Sequence, residues 1–446
     1  MTIQLKIILA FIIMLFTYNT FAKDITKNKQ PDPVNKKERT EVIKAISKQL
    51  NDNYVFPDVA KKMTTFIKKQ QKNGHYKKIT GTQEFADVLT KDLFSVSHDK
   101  HIRVRFDPIG IAQQKHAVTP EDKENLQQRR TAKMQRENFG FKEIKILEGN
   151  IGYLDLREFV SASDGSETAV AAMNFLSNSD AIIIDLRQNG GGDPTMIQLI
   201  SSYLFADKPV HLNNFYWRPT DLNTQSWTLP YVPGKRSPDT PVYVLTSSST
   251  FSAAEEFSYN LKNLKRATLV GETTGGGAHP GDTVTVTDRY LVWLPSGRAI
   301  SPITKMNWEG TGVTPHIEVK QEDALTTAHK KALELLSEAN KDEHLKRLYN
   351  WAFNTLKAKG KSHKIDESLL NSYVGKYGPR MITMEDKVMS YQREGRSKYT
   401  LKAISDDQFT VEGLPDFRIK FESKNNKVVA LIGLYDNGTS DKNLKD

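Results

Sequence analysis

The run IIIDLRQNGGG, residues 182–192, decides the fold class of this chain. Its apolar start, followed by a single aspartate, predicts a buried strand that ends in a glycine turn. A second run, VYVLTSSSTFSAAEEF at residues 242–257, predicts another strand that passes through a serine-rich turn into a helix beginning at Ser252. Together the runs put a hydroxyl beside a loop with uncovered backbone N–H groups. Acyl transfer needs a nucleophile and donors for the oxyanion, so the pattern indicates a hydrolase.

Length and composition limit the classes of protein to which the chain can belong. Its 446 residues exceed one ordinary core, so we expect several domains. A hydrophobic share of 38% and a charged share of 26% are typical of a folded globular protein. The net charge is +10, but the basic residues are interleaved with acids and accompany no recognition helix or aromatic-stacking motif. We therefore expect a solvated basic surface and no nucleic-acid partner.

The first 22 residues have the pattern of a secretory signal. Lys6 precedes an apolar run at residues 7–16, and TFA at residues 20–22 offers small residues suited to cleavage. The run is too short to span a bilayer, so we predict cleavage after Ala22, with an uncleaved anchor as the alternative. The chain has no cysteine, which excludes a lipid-modified cysteine anchor and disulfides. The predicted location is the periplasm or the outside of a bacterium, with no stable membrane span after cleavage.

Apolar periodicity and changes in composition divide the rest of the chain. The predicted segments are a flexible leader (23–38), a helical domain (39–107), a linker with one exposed helix (108–140), a catalytic domain (141–340), a linker helix (341–360) and a C-terminal domain (361–446). In the catalytic domain, strands alternate with helices, which indicates a β/α layer with a partly parallel sheet, closed by residues 291–294 and by the segment to Val319. The last segment has short strands between turn residues, typical of a small antiparallel barrel or sandwich. The predicted fold class is α/β, with a helical domain before the core and a β domain after it.

Ser252 begins a helix, where the dipole and free N–H groups stabilise negative charge. Serine is also a favoured N-cap, so a capping role alone is the alternative that this segment leaves open. The segment is not a G-x-S-x-G elbow, and the glycine turn at residues 190–192 is not a dinucleotide fingerprint. The turn matters because it follows a parallel-type strand, at the sheet edge where α/β proteins bind ligands.

Three motifs in this order, DLRQNGGG (185–192), TFSAAEE (250–256) and GETTGGGAHPG (271–281), resemble the carboxyl-terminal-processing (tail-specific) serine protease superfamily. The resemblance covers about residues 40–335 and is greatest to the branch without a PDZ domain, which includes interphotoreceptor retinoid-binding protein-like and tricorn-core proteases. It implies a ClpP/crotonase-like β/α core. It also implies a serine endopeptidase without a cofactor that acts on unfolded or exposed polypeptide segments.

The resemblance also implies roles for individual residues. The motif serine of the family matches Ser252. The lysine of the Ser/Lys members falls at Gly277, so another base is required. The tricorn-like members use histidine and glutamate, which match His101 in SVSHDKHIRVRF and Glu309 in NWEGTGVTPH. The implied triad is therefore Ser252, His101 as base, and Glu309 to orient the imidazole.

Other residues near the motifs remain candidates. His279 follows the glycine-rich turn and is the alternative base, and His98 is a second rival. The oxyanion hole should combine the backbone N–H of Ala253 with that of Gly190 or Gly191.

Neighbouring charged residues have ordinary structural explanations. Arg187 either braces the glycine loop or forms a structural ion pair. Glu255 and Glu256 lie in a first helical turn, where the helix dipole explains them. We predict no metal site, because no H-E-x-x-H helix or cysteine cluster supports the two imidazoles at residues 98–101.

A non-catalytic protein that binds an apolar, lipid- or retinoid-like ligand is the alternative function, because the retinoid-binding relatives carry such ligands on this fold. The C-terminal β segment either binds lipid or packs against the catalytic domain. Its stretches YVGKYG (373–378) and YQREGR (391–396) resemble small β domains attached to bacterial penicillin-binding-like hydrolases. The formation of an intact triad separates the two functions.

Overall fold

The structure is a computed structural model that describes residues 33–116, 119–360 and 365–446. The predicted signal at residues 1–22 and most of the predicted leader lie outside these residues. The described chain forms two compact units. The first contains the residues up to 98 together with 102–115 and 282–294, and the second contains 99–101, 116–281 and 295–446. None of the described helices combines the length and apolar character that crossing a bilayer requires.

In chain order the elements are α1 (Lys36–Asn53), α2 (Pro57–Lys72), α3 (Thr82–Ser97), β1 (Arg103–Phe106), α4 (Pro108–His116), α5 (Pro120–Arg136), β2 (Phe141–Leu147), β3 (Ile151–Leu156), α6 (Ala162–Leu176), β4 (Ala181–Asp185), α7 (Pro194–Leu204), β5 (His211–Trp217), β6 (Leu222–Trp227), β7 (Val242–Thr246), α8 (Ala253–Asn263), β8 (Ala267–Gly271), β9 (Gly281–Thr285), β10 (Tyr290–Pro295), β11 (Gly297–Ile300), β12 (Ile317–Glu318), α9 (Gln321–Ala339), α10 (Glu343–Gly360), α11 (Glu367–Tyr373), β13 (Gly375–Tyr377), β14 (Arg380–Glu385), β15 (Val388–Arg393), β16 (Lys398–Ala403), β17 (Gln408–Val411), β18 (Leu414–Lys424), β19 (Lys427–Tyr435) and β20 (Ser440–Leu444).

The first unit contains the predicted helices. The apolar face predicted for α1, from Val42 to Leu50, is buried. The helix begins at Lys36, inside the predicted leader, because the Asn35 side chain caps it by accepting the Glu38 N–H at 3.0 Å. The unit also contains β10, which pairs antiparallel with β1. The prediction that residues 291–294 close the β/α layer is therefore wrong. This apolar strand pairs with a distant partner that periodicity alone does not identify. The predicted segment to Val319 does close the layer, because β12 pairs with β8 at the edge of the six-stranded sheet.

The second unit is built on a six-stranded sheet in the order β12-β8-β7-β4-β3-β2, parallel except for β2. Every residue of β4 and β7 is buried. Ile182 and Ile184 pack with helices α6, α7 and α8, whereas Ile183 packs with α9 and α10. Because strand side chains alternate, a strand covered on both faces must be apolar throughout. This explains the IIID run and confirms the predicted α/β fold class.

Other parts of the second unit correct or extend the sequence analysis. The helix predicted as a linker forms α10, and its Tyr349 and Ala352 are buried against α9 and the sheet. The hairpin β5–β6 was not predicted, since β6 is almost entirely exposed and has no apolar alternation. The C-terminal strands β13 to β20 form an eight-stranded antiparallel sheet in sequence order, as the prediction of a β domain requires.

The position of the glycine turn and of Ser252 at one edge of the sheet follows from this topology. The glycine turn at residues 190–192 comes after β4, and Ser252 follows its neighbour β7. The two parallel strands end at the same edge of the sheet, so both features lie together. His101 belongs to the same compact unit.

Because β4 is covered by helices on both faces, shortening one of its side chains should strongly lower the stability of the fold. Ile183→Ala should lower the free energy of unfolding by about 2–5 kcal/mol, because it leaves a cavity under α9 and α10. Ile146→Ala on the edge strand β2, where the side chain is 44% exposed, is the matched control and should cost less than about 1 kcal/mol. Denaturant titration of both variants tests this, and equal losses would contradict it.

Candidate active site

Ser252 lies in a strained turn between β7 and α8. Its backbone angles are φ 55° and ψ −120°, a conformation that costs a non-glycine residue about 1–3 kcal/mol. The turn is held by its own helix. The Ser252 N–H donates to Glu255 Oε2 at 3.0 Å, and the Ser252 carbonyl accepts the N–H groups of Glu255 and Glu256 at 2.9 Å each. The sequence lacks the G-x-S-x-G motif, yet the serine occupies the strained strand-to-helix position on which nucleophiles are displayed.

The imidazole that reaches this serine is that of His101. Its Nε2 lies 3.0 Å from Ser252 Oγ, and its ring packs on Phe251 with centroids 4.6 Å apart. Burial lowers the pKa of His101 to about 4. The charge of Asp99 opposes this shift, and His279 adds to it. The imidazole is therefore neutral at neutral pH and able to take the serine proton.

The glycine at position 277 explains why a histidine fits here. A Cβ at Gly277 would lie 2.2 Å from Phe251 Cζ and 2.7 Å from His101 Cε1. The two rings therefore fill the space that a lysine side chain at this position would need. This agrees with the expectation that the base is another residue.

The carboxylate beside His101 is that of Asp99. Its Oδ1 accepts the backbone N–H of His101 at 2.9 Å and lies 3.8 Å from Nδ1 of the imidazole. An aspartate that accepts the N–H two residues on is a local turn motif, so the D-x-H spacing of residues 99–101 is the signal that could have identified it. No described hydrogen-bond partner engages His101 Nδ1.

Glu309 does not contact His101. Its Oε2 accepts the N–H of Ala278 at 2.6 Å and lies 3.4 Å from His279 Nδ1. His279 Nδ1 in turn lies 2.8 Å from Asp99 Oδ2. The sequence analysis expected Glu309 to orient His101, and the geometry instead puts His279 and Asp99 between them. His279, the alternative base, makes no hydrogen bond with Ser252. His98 ends α3 in the left-handed conformation and belongs to the other compact unit.

Two backbone N–H groups are open for an oxyanion. Among the described residues, no hydrogen bond uses the N–H of Gly190 or Ala253. The N–H of Gly191 donates to Asn189 Oδ1 at 2.9 Å, so the geometry favours Gly190 over Gly191 as the second donor. Gly191 has φ +116°, and a Cβ there would lie 2.8 Å from Ser252 Cβ. Its role is to let the loop approach the nucleophile.

Glu255 joins the nucleophile turn to the loop that carries Gly277. The residue is fully buried, and its carboxylate accepts the N–H groups of Gly276 at 2.6 Å and Gly277 at 2.8 Å as well as that of Ser252. The hydroxyl of Thr274 also donates to it. Burial raises its pKa, and these hydrogen bonds oppose the rise. The helix dipole alone is therefore an insufficient explanation for Glu255.

The remaining charged candidates are structural. Glu256 is 4% exposed, and burial raises its pKa to about 7, so it too is more than a helix-dipole partner. Arg187 pairs with both oxygens of Asp185 at 2.9 and 2.6 Å and donates to the Gln321 carbonyl. It forms the ion pair that the sequence analysis left open, and it ties the end of β4 to the start of α9.

Within the described part of the chain, Asp99, His279 and Glu309 form a group that could hold a metal ion, with ligand atoms within 4.8 Å of one another. The 2.8 Å separation of His279 Nδ1 and Asp99 Oδ2 is a hydrogen-bond distance. Two ligands of a tetrahedral zinc ion, each about 2.0–2.1 Å from the metal, would lie about 3.3 Å apart. This arrangement therefore fits a shared hydrogen better than a metal.

Residues 150–319 match peptidase family S41, and residues 35–139 match the N-terminal domain of peptidase S41 in eukaryotic IRBP. Three solved structures are similar to this chain. They are a protein from Parabacteroides merdae described as a peptidase (18% identity, 63% of this chain and 90% of that chain covered, TM-score 0.43), the photosystem II D1 C-terminal processing protease (15%, 65% and 94%, 0.41) and the tricorn protease (15%, 68% and 37%, 0.43). These identities are below 25% and the TM-scores are below 0.5. Membership of a family therefore rests on the two family matches and not on the solved structures.

The two family matches cover the helical segment and the β/α core with its Ser252 turn, and they confirm the family that the three motifs predicted. The chain belongs to peptidase family S41 and is a serine-type peptidase.

Proposed function

We propose that the protein is an exported endopeptidase that cleaves unfolded or exposed polypeptide segments through an acyl-enzyme on Ser252, with His101 as the base. The observation that carries this proposal is the 3.0 Å contact between His101 Nε2 and Ser252 Oγ at a strained turn. The open N–H groups of Gly190 and Ala253 at the same turn support it.

The proposed reaction uses these groups in sequence. Ser252 Oγ attacks the scissile carbonyl carbon while its proton passes to His101 Nε2. The carbonyl oxygen becomes an oxyanion that accepts hydrogen bonds from Gly190 and Ala253. The imidazolium then protonates the leaving amine, which departs and leaves the acyl-enzyme. Water, deprotonated by the same imidazole, releases the new carboxyl terminus and regenerates the serine.

Asp99 would stabilise the imidazolium formed in both steps. Opposite charges about 4 Å apart attract by about 4 kcal/mol at an effective dielectric constant of about 20. Asp99 Oδ1, at 3.8 Å from His101 Nδ1, meets this condition, and a small closure on substrate binding would complete the hydrogen bond. The triad that we propose is therefore Ser252, His101 and Asp99, with Glu309 linked to it through His279.

Labelling of the nucleophile tests the proposal. A fluorophosphonate probe should label the wild type, and Ser252→Ala should lose both the label and, by a factor of about 10⁴ or more, kcat on an unfolded protein substrate. Ser248→Ala, on the exposed part of the same turn, is the matched control and should keep both. A wild type that never labels and carries an extractable apolar ligand would support the alternative binding function.

The pH dependence of kcat/KM tests the base. Only neutral His101 accepts a proton, and its pKa is lowered to about 4. Activity should therefore be retained as the pH falls through 6.5, the ordinary pKa of histidine, and should drop about tenfold per pH unit only below about 4. Circular dichroism at each pH controls for unfolding. An acid limb centred near 6.5 in a folded protein would contradict the assignment.

Export rests on the N-terminal pattern and is tested separately. In a bacterial host, the mature protein should be recovered outside the cytoplasm with Lys23 at its N-terminus. A variant lacking residues 7–16 should stay in the cytoplasm at full length. N-terminal sequencing of fractionated cells decides the question, and an uncleaved, membrane-bound product would instead indicate an anchor.

A further inference from the structure

A second buried imidazole, that of His279, lies behind the base and has no part in the reaction above. Its side chain is 6% exposed, and that of Asp99 is 1% exposed. Nδ1 of His279 lies 2.8 Å from Asp99 Oδ2 and 3.4 Å from Glu309 Oε2. Ionised carboxylates only accept hydrogen bonds, so the hydrogen of the short contact belongs to Nδ1. His279 therefore lies between two carboxyl groups and donates to the one beside the base.

The two oxygens of Asp99 serve the two histidines separately. Oδ1 accepts the His101 backbone N–H at 2.9 Å and faces His101 Nδ1 at 3.8 Å. Oδ2 faces His279. Rotation of the carboxylate would break one of these contacts. The orientation of Asp99 toward the base thus depends on a donor at the His279 position.

His279 has a second effect, because it lies between the carboxyl groups of Asp99 and Glu309. Burial and the nearby Asp99 raise the pKa of Glu309, and Glu255 adds to the rise. Two buried carboxylates brought together without a donor between them share one proton. Lys100, which follows Asp99 in the sequence, directs its ammonium to the Gly275 carbonyl. Without His279, Asp99 would be expected to take part in such sharing and to lose the charge that stabilises the His101 imidazolium.

The role that we assign to His279 rests on the proposed function. We propose that His279 is a positioning residue for the catalytic base: its imidazole holds Asp99 as a hydrogen-bond acceptor aimed at His101 and separates it from Glu309. It acts through Asp99 and does not touch the reacting atoms.

Two substitutions of nearly equal size distinguish a role of His279 as a hydrogen-bond donor from a role in packing alone. His279→Asn keeps an amide N–H close to the position of Nδ1, whereas His279→Leu has no donor. The leucine variant should lose about 100-fold in kcat with little change in KM, and the asparagine variant should stay within about tenfold of the wild type. Thermal unfolding of both variants controls for folding. Equal kcat values for two folded variants would overturn the inference.

A second carboxyl substitution provides a rescue that a purely structural role would not give. In the His279→Leu background, Glu309→Gln removes the group with which Asp99 would share a proton. The double variant should have a kcat about tenfold higher than that of His279→Leu alone. In an Asp99→Asn background, His279→Leu should add almost no further loss, because its route of action is already gone. Additive losses in both backgrounds would overturn the inference.

The inference and the proposed function fail in different ways. A wild type that labels at Ser252, with leucine and asparagine variants of equal activity, leaves the peptidase mechanism intact and rejects the role of His279. For a wild type that does not label, the readout is the ring N–H spectrum of the full chain. A hydrogen-bonded Nδ1–H that is lost in His279→Leu and Asp99→Asn but kept in Ser252→Ala supports the contact, and its absence rejects it.

Discussion

The buried carboxylate of Glu255 is the interaction on which the site depends. A fully buried carboxylate is costly unless several donors satisfy it, and here three backbone N–H groups and one hydroxyl do so. One of these N–H groups belongs to Ser252 and two to the loop containing Gly277. A single side chain therefore holds the strained nucleophile turn and the loop that leaves room for the base. The strain at Ser252 persists because Glu255 and the packing of α8 over-determine it.

Space, as much as charge, determines that His101 is the residue in contact with Ser252. At Gly277 the missing side chain leaves room for the rings of His101 and Phe251. At Gly191 the missing side chain lets the loop after β4 approach Ser252. Both positions constrain the site, because a Cβ at Gly277 would displace His101 and a Cβ at Gly191 would displace Ser252. Burial of the imidazole then lowers its pKa and makes it a neutral acceptor.

Next to His101, ionisable side chains form a chain of contacts. Asp99 contacts His101, His279 contacts Asp99, and Glu309 lies beyond His279. Each acidic member has a donor from a histidine or from the backbone, as buried carboxylates require. The glutamate expected from the family resemblance is thus present in the site, but one imidazole farther from the base than a simple triad would put it.

The sequence by itself determined the features that are encoded locally. The apolar run at residues 182–186 predicts a buried strand, and the observed β4 spans Ala181–Asp185. The Ser252 turn, the parallel sheet and the family also follow from local motifs and alternation, which record burial residue by residue. His101 was found through its motif, although 151 positions separate it from Ser252.

Only the tertiary structure decided the partners of the buried polar groups. Asp99 and His279 are 180 positions apart, and nothing in either segment specifies their contact. The same holds for the pairing of β10 with β1 and for the four donors to Glu255. Periodicity reports that a residue is buried, but a polar group in the interior takes whichever partner the packed chain brings within hydrogen-bond distance. Those distances are set by the assembled fold, so the contacts of His279 with Asp99 and Glu309 could be read only there.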